Sequence, residues 1–453
     1  MTNGAGASGP AGPLEGIRVL ELAHIMAGPV CGLMLADMGA DVVKVERLPR
    51  GDGSRSFVPP EMKGESAAFM MLNRGKRGIA LDLRNPAGVE VVRRMAGQAD
   101  VLIENFRVGT MEKIGLGWDE LAAANPRLVY CQITGFGRTG PLSRQGGFDL
   151  IAQGYSGLMS ITGEGEGRDP VKVGAPVTDI TAGILGALGV VAALFRRERT
   201  GRGALVDTSL YEAGVTHTYW QSAIALAGGG SPGPLGSAHP LSAPYQAFRT
   251  SDGWINVGAS NQSTWLRLVD VLGRGDLARD PRFGTNAARM GHLEELVAIL
   301  SREFSTRDTE EWLRVLEVAG VPAGPVASVG EMLEHPHTRA RDMVLEVEHS
   351  RVGRIRSLGS PVKVREAGSH PEPPSHPEPG PQEKPGPQEK PDRQPAPSPG
   401  AGRVSGRGAP LLGEHTREIL EEAGLDWEEI DGLLADGVVA QHGRTPATSE
   451  EPE

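Results

Sequence analysis

Between Gly16 and Glu46 the chain passes through strand, helix and strand, and few architectures accept that order in so short a span. Gly16-Ile-Arg-Val-Leu-Glu-Leu22 is apolar and rich in β-branched residues, as a buried strand is. After the loop Ala23-His-Ile-Met-Ala-Gly-Pro29, Pro29 opens a helix through Ala36, a common place for proline in a first helical turn. Gly39 ends the helix, and Asp41-Val-Val-Lys-Val-Glu46 forms a second strand. Two strands joined through a helix pair in parallel, so the unit predicts a parallel sheet with helical crossovers. The pattern recurs with strands at 78–83, 101–104 and 128–134, and with helices at 86–96 and from Thr110 to Lys113 and beyond. A long helix of small residues, 181–197, and a strand at 204–209 follow. These elements predict a doubly wound, Rossmann-like α/β domain.

The texture changes after Gly228-Gly-Gly230. The stretch 247–257, with Ser-Asp-Gly at its centre, reads as a β-hairpin, and amphipathic helices follow at 263–272, 293–304 and 309–318. The expected organisation is a flexible start at 1–13 and a large domain at 14–227. A smaller α+β domain at 228–325 and a return to the large domain at 326–366, with a strand at 343–348, come next. A Pro-rich insertion at 367–408 carries two tandem copies of Pro-Gly-Pro-Gln-Glu-Lys, at 379–384 and 385–390, and its composition predicts disorder. The end of the large domain, with helices at 416–423 and 427–435, occupies 409–440, and a flexible tail spans 441–453.

The formal net charge of -11 argues against nucleic acid or an anionic membrane as the main partner. Met1 to Pro13 has neither a basic start nor an apolar core, so it does not read as a signal peptide. Ile180 to Phe195 is the nearest approach to a membrane span and reads as too short, which favours a cytoplasmic protein. Two cysteines, Cys31 and Cys131, make a disulfide framework unexpected. The glycine fingerprint of dinucleotide-binding sheets, the phosphate loop of nucleotide hydrolases, the serine elbow and the paired-histidine zinc motif are all missing.

One residue invites a chemical reading. Asp179 precedes the long apolar helix in Ala175-Pro-Val-Thr-Asp-Ile-Thr-Ala-Gly183. It can serve simply as the N-cap of that helix. The same position also favours an ionised carboxylate, by ~0.3–1 kcal/mol at exposed sites. Exposed amides there could stabilise an oxyanion if the carboxylate attacked a thioester.

Ordered blocks along nearly the whole chain then resemble a known family. They are Pro13-Leu-Glu-Gly-Ile-Arg-Val-Leu-Glu-Leu22, Ala27-Gly-Pro29, Gly39-Ala-Asp-Val-Val-Lys-Val-Glu-Arg47 and Asn73-Arg-Gly-Lys-Arg77. Glu104-Asn-Phe106, Gly147-Phe-Asp-Leu-Ile-Ala-Gln153, Thr200-Gly-Arg-Gly203 and Ala409-Pro-Leu-Leu-Gly-Glu-His-Thr416 complete them. The chain is similar to the class III CoA-transferases, the group that includes formyl-CoA transferase, carnitine CoA-transferase and the 2-methylacyl-CoA racemases. The resemblance implies coenzyme A as a substrate, no permanently bound cofactor, no metal, and an interlocked homodimer. It implies Asp179 as the nucleophile, with CoA contacts at Met26, Ala27, Arg47, Arg84, Asn105, Phe106 and Lys113. The formyl-CoA enzymes have Gln where Met26 stands, which points to a less formyl-like acyl group here. The racemase branch has His before the residue matching Asp149; here that residue is Phe148, which removes one of two acid/base groups.

Gly236-Ser-Ala-His-Pro240, Pro244-Tyr-Gln-Ala-Phe248 and Ala319-Gly-Val-Pro-Ala-Gly-Pro325 resemble enzymes passing CoA from succinyl-CoA to another dicarboxylate. The resemblance implies that the loop 236–242 closes over the site, with His239 either a substrate contact or simply a polar residue of the loop surface. The expected function is CoA transfer from an acyl-CoA donor, succinyl-CoA, to a carboxylic or dicarboxylic acid. The alternatives are an acyl-CoA racemase and a catalytically silent CoA-binding protein.

Overall fold

The computed structural model describes residues 12–364 and 406–443. Residues 1–11, 365–405 and 444–453 lie outside them, and with them most of the flexible start, the Pro-rich insertion and the tail expected from the sequence. The central element is a seven-stranded sheet made of β1 (Arg18–Glu21), β2 (Asp41–Arg47), β3 (Arg77–Leu81), β4 (Val101–Glu104), β5 (Val129–Thr134), β6 (Ala204–Ser209) and β7 (Val439–Ala440). Their order is β7-β3-β2-β1-β4-β5-β6. Neighbours pair in parallel except at the β7 edge, where Val439 and Ala440 face Leu81 and Ala80 antiparallel. The mixed α/β character expected of the chain is therefore observed, and the short C-terminal strand β7 is an addition to it.

The strands read as near-continuous apolar runs because they lie inside: β3, β4 and β5 have every residue buried. Their apolar side chains meet those of the helices Pro86–Gln98, Trp118–Ala124, Thr416–Glu422 and Trp427–Ala435 in one core, with Ile79, Val92, Leu102, Leu128 and Leu420 at its centre. The helix Ala27–Asp37 begins two residues before Pro29, which sits within its first turn, where a missing N–H costs nothing. Gly39, at φ +98°, follows the helix end in the left-handed conformation that favours glycine.

The described residues divide into two compact units. One takes in the described parts of Met1–Gly147, Asp179–Leu210 and Ala340–Glu453; the other comprises Phe148–Thr178 and Tyr211–Arg339. This differs from the expected small domain at 228–325. Helix Asp149–Tyr155 and the stretch after β6 join the second unit, because they pack on each other without room to spare. A Cβ built on Gly214 would lie 2.4 Å from the Ser156 hydroxyl oxygen and 3.3 Å from Thr178 Cγ2. The second unit also holds the expected hairpin, Tyr245–Arg249 with Trp254–Gly258, to which Ala323–Pro325 adds a third antiparallel strand. Its own core gathers Trp265, Leu268, Phe283, Leu300, Phe304 and Trp312.

The long helix spans Val177–Thr200, four residues earlier and three later than the sequence suggests. It is long and apolar enough to cross a membrane, contrary to the reading of Ile180 to Phe195 as too short. Its glycines show what it does instead. Gly183, Gly186 and Gly189 recur every three residues along one side. There a Cβ would meet, respectively, the Ala27 carbonyl oxygen at 2.5 Å, Ile133 Cδ1 at 2.9 Å and Val206 Cγ1 at 2.5 Å. The glycine side is thus packed directly on the sheet and on helix Ala27–Asp37, which is the behaviour of a core helix. Gly183→Ala tests this packing. Helix propensity alone would reward alanine by just under ~1 kcal/mol. The clash with the Ala27 backbone, of a kind that costs about 1–3 kcal/mol, should outweigh that gain. We expect a lower urea midpoint; a variant at least as stable as wild type would show that the helix does not rest on Ala27.

Candidate active site

In a parallel sheet whose connections leave the central strand in opposite directions, a crevice opens outside the carboxyl ends of the two strands flanking the reversal. Here β2 lies on one side of β1 and β4 on the other, so the reversal falls between β1 and β4. The loop His24–Met26 follows β1, and Asn105 follows β4. Asn105 bridges the two: its Oδ1 accepts from the His24 N–H at 2.9 Å and its Nδ2 donates to the His24 carbonyl at 2.8 Å. The Phe106 ring lies 5.4 Å from the His24 ring. Burial pushes the His24 imidazole below its ordinary value, which keeps it neutral near pH 7.

Beneath this loop lies a buried set of charges. Lys44 Nζ sits 3.0 Å from Glu21 Oε1 and 2.8 Å from Asp52 Oδ2, and Lys76 Nζ sits 2.8 Å from Glu21 Oε2. These four side chains are almost wholly buried. Burial alone would lower the Lys44 ammonium, yet Glu21 and Asp52 hold it above its usual range. Lys76 has less compensation; burial lowers it to about 8, with Glu21 opposing and Lys44 adding to the fall. Both ammonium groups also donate to the backbone, Lys44 to the Ala23 carbonyl at 3.0 Å and Lys76 to the Pro29 carbonyl at 2.9 Å. Gly32 is obligatory beside them, because a Cβ there would lie 1.8 Å from Glu21 Oε2. The network thus grips the loop and the helix after it from below.

Asp179 is not an N-cap, the simpler of its two sequence readings. It is the third residue of the long helix, inside the first turn and half-buried. The capping carboxylate comes from Asp149, whose Oδ1 accepts from the Thr178 N–H at 2.9 Å and from the Thr178 hydroxyl at 2.8 Å. Gln153, one turn along, donates to Asp149 Oδ2 at 2.7 Å and accepts from the Val173 N–H at 2.8 Å. Asp179 precedes Gly183 by four residues, so the two share a helical face. Since the Gly183 side rests on Ala27, that face is the one turned toward the start of the helix Ala27–Asp37. This second helix has no side-chain cap and no acidic residue in its first turn, which leaves its positive dipole end without an anion of its own.

Met26 occupies the N-cap position of helix Ala27–Asp37 and Ala27 is its buried first residue. Arg47 ends β2, exposed, with Nε donating to the Gly51 carbonyl at 3.3 Å. Arg84 lies three residues beyond β3, exposed, its guanidinium paired with Asp82 through contacts of 2.9 and 3.0 Å. Lys113 ends the short helix Thr110–Lys113 after β4 and is exposed. Met26, Ala27, Arg47, Arg84, Asn105, Phe106 and Lys113 thus lie at or beyond the carboxyl ends of β1, β2, β3 and β4, and Asp179 lies at the start of the helix between β5 and β6, all in the first unit. His239 belongs to the second unit. There its Nδ1 accepts from the Leu241 N–H at 3.1 Å, and its ring stands edge-on to Trp220 and Tyr245. Among the described residues, no group of three or more His, Cys, Asp or Glu side chains could hold a metal ion.

Sequence reasoning passed over His24, Glu21, Lys44, Asp52 and Lys76. One signal was available: Lys44 interrupts the apolar run Val42-Val-Lys-Val45, and a lysine in mid-strand must find an anion if the strand is buried. Glu104 was also passed over as a titrating group. It is fully buried at the end of β4, and its Oε2 accepts from the Phe106 N–H at 2.7 Å.

The model of CoA-transferase family III matches residues 14–383. The chain is 36% identical to the succinyl-CoA:glutarate CoA-transferase of Mus musculus, over 95% of this chain and 91% of that one. It is 39% identical to the succinyl-CoA:mesaconate CoA-transferase of Haloarcula hispanica, over 91% and 97%. A crystallised CAIB/BAIF family protein from Brucella suis superposes with a TM-score of 0.74 at 36% identity, over 91% of this chain and all of that one. The chain belongs to CoA-transferase family III, as its sequence blocks implied, and is a CoA-transferase.

Glu104 gives the edge of the sheet a pH signature. Burial raises its carboxyl from 4.5 to about 8, against the Phe106 N–H, which favours the ionised form. As pH rises from 4.5 to about 8, the unfolded chain releases this proton while the folded chain keeps it. The folded state therefore loses stability across that window. Glu104→Gln has no proton to release, so its urea midpoint should fall less than that of wild type between pH 5.5 and pH 8. Parallel profiles for the two proteins would contradict this.

Proposed function

We propose that this chain moves coenzyme A from succinyl-CoA to a second dicarboxylic acid, with Asp179 as the covalent nucleophile. The observation that carries the reading is the place of Asp179. It stands in the first turn of a helix, on the face that Gly183 seats against Ala27, the first residue after the loop in which the proposed coenzyme contacts begin. The relatives named for succinyl-CoA with glutarate and with mesaconate support a dicarboxylate acceptor.

The chemistry balances without a redox partner. An Asp179 carboxylate oxygen attacks the thioester carbonyl of succinyl-CoA, the carbon–sulfur bond breaks, and CoA leaves as thiolate from a mixed anhydride. The thiolate attacks the aspartyl carbonyl and expels succinate, leaving an aspartyl-CoA thioester. The acceptor carboxylate then attacks this thioester and releases the thiolate, forming a second anhydride. Attack of the thiolate on the acceptor's acyl carbon yields the new thioester and restores Asp179. Dividing the exchange into steps between acyl groups of similar energy is the gain of covalent catalysis. Helix amides beside Asp179 favour its ionised form and the oxyanions derived from it. Arg47, Arg84 and Lys113 are suited to the phosphates of CoA, Arg84 by exchanging its carboxylate partner for phosphate. Met26, Ala27, Asn105 and Phe106 complete the coenzyme contacts in this reading.

The enzyme acts, in this reading, as the interlocked homodimer of its family. In the single chain, helix Tyr219–Leu226 has no buried residue, and Tyr219, Trp220 and Leu226 are 74%, 62% and 89% exposed. Apolar helices left so open are characteristic of subunit contacts. Light scattering after gel filtration should give twice the 47.8 kDa chain mass at micromolar concentration; a monomer would refute the dimer.

Incubation with succinyl-CoA and hydroxylamine, followed by peptide mass spectrometry, tests the nucleophile. Hydroxylamine should convert acylated Asp179 to a hydroxamate. Asp179→Ala should lack the adduct and lose activity by on the order of 10³-fold or more. An active Asp179→Ala enzyme would refute the assignment.

A further inference from the structure

We propose that Asp52 is a positioning residue for CoA transfer: its carboxylate holds the turn at Ile25 in a left-handed backbone conformation and so fixes where Met26 and Ala27 present themselves to the coenzyme. The inference rests on the reading of Met26 and Ala27 as coenzyme contacts.

Ile25 has φ +67°. A β-branched residue rarely adopts this conformation, which costs on the order of 1–3 kcal/mol and persists only where the surroundings over-determine it. The surroundings here do so from every side. The Ile25 N–H donates to both carboxylate oxygens of Asp52, at 3.0 and 3.2 Å. On the residue before it, Asn105 takes both the N–H and the carbonyl of His24, and Lys44 takes the Ala23 carbonyl. The Ile25 side chain presses on Gly53, where a Cβ would lie 2.9 Å from Ile25 Cδ1.

Asp52 in turn has no freedom. It is 5% exposed, paired with Lys44 at 2.8 Å, and accepts from the Ser54 N–H and hydroxyl, both at 2.8 Å. Glycine would adopt the Ile25 conformation without strain, but it would also adopt others. An isoleucine wedged on Gly53 and tethered to a buried carboxylate has one conformation. The next residues are Met26 and Ala27, the start of the uncapped helix. The strain at Ile25 is thus spent on aiming that helix start, and Asp52 is the group that sustains it.

The test is a double-mutant cycle read by calorimetric CoA binding and by steady-state kinetics with succinyl-CoA. Asp52→Ala should weaken CoA binding and raise KM for succinyl-CoA about ten-fold, with a smaller fall in kcat. Asp52→Asn keeps an acceptor for the Ile25 N–H but loses the charge that pairs with Lys44, so its effect should be intermediate. Ile25→Gly should weaken binding a few-fold. In the Ile25→Gly background the Asp52→Ala effect should shrink to a third or less, because the left-handed turn no longer needs a tether. If Asp52→Ala does not fold, the cycle is run with Asp52→Asn.

Equal effects of the Asp52 variants in both backgrounds would overturn the proposal. So would a loss of thermal stability with unchanged CoA affinity in the folded fraction. Wild-type protein that binds CoA but transfers none from succinyl-CoA would refute the functional reading while the binding cycle still decides this one. Wild-type protein that does not bind CoA would overturn both.

Discussion

Four buried charges, Glu21, Lys44, Asp52 and Lys76, hold the centre of the sheet's carboxyl edge in place. They sum to zero charge, and each cation has both a carboxylate and a backbone carbonyl within 3.0 Å. Removing one member of such a set leaves an uncompensated charge in the interior, which typically costs about 3–5 kcal/mol. The network also reaches outward, because its members bind the carbonyls of Ala23 and Pro29 and the amide of Ile25, the segments that bracket the helix start at Ala27. Stability and site geometry share the same atoms.

The long helix applies a second constraint on the same spot. Glycines at 183, 186 and 189 let it approach the sheet and the Ala27 backbone more closely than any side chain would permit. Asp179, one turn before Gly183, is placed by that approach. Its helix start is secured separately, through Asp149 and Thr178. In its proposed role as nucleophile Asp179 would need such tethering, since misplacement by about 1 Å can cost two orders of magnitude in rate.

Much of the fold is readable along the chain. Apolar runs bounded by glycine mark the parallel strands, and the first crossover sets their direction. Even the amphipathic helices of the second unit, such as Leu293–Phe304 and Thr309–Val318, are found at the bounds their periodicity gives. The division into units is harder to read, because Phe148–Thr178 joins the second unit through the Gly236 N–H bond to the Gly163 carbonyl at 2.8 Å and the close seat of Gly214 on Ser156. Neither has a periodic signature. Helix Tyr219–Leu226 and strand Val439–Ala440 escape for a similar reason, being too short for periodicity to distinguish.

The candidate site divides the same way. Residue order alone carries the family and, through it, the proposed nucleophile at Asp179 and the proposed coenzyme-side positions from Met26 to Lys113, because those are motifs at fixed spacing. Only the tertiary structure decides that Asp179 lies within a helical turn and that Asp149 supplies its cap. It alone brings Lys44 and Asp52 beneath Ile25, and it alone gives Ile25 its left-handed turn. Burial and charge compensation join residues tens of positions apart, and no local pattern in the chain encodes which anion a buried lysine will find.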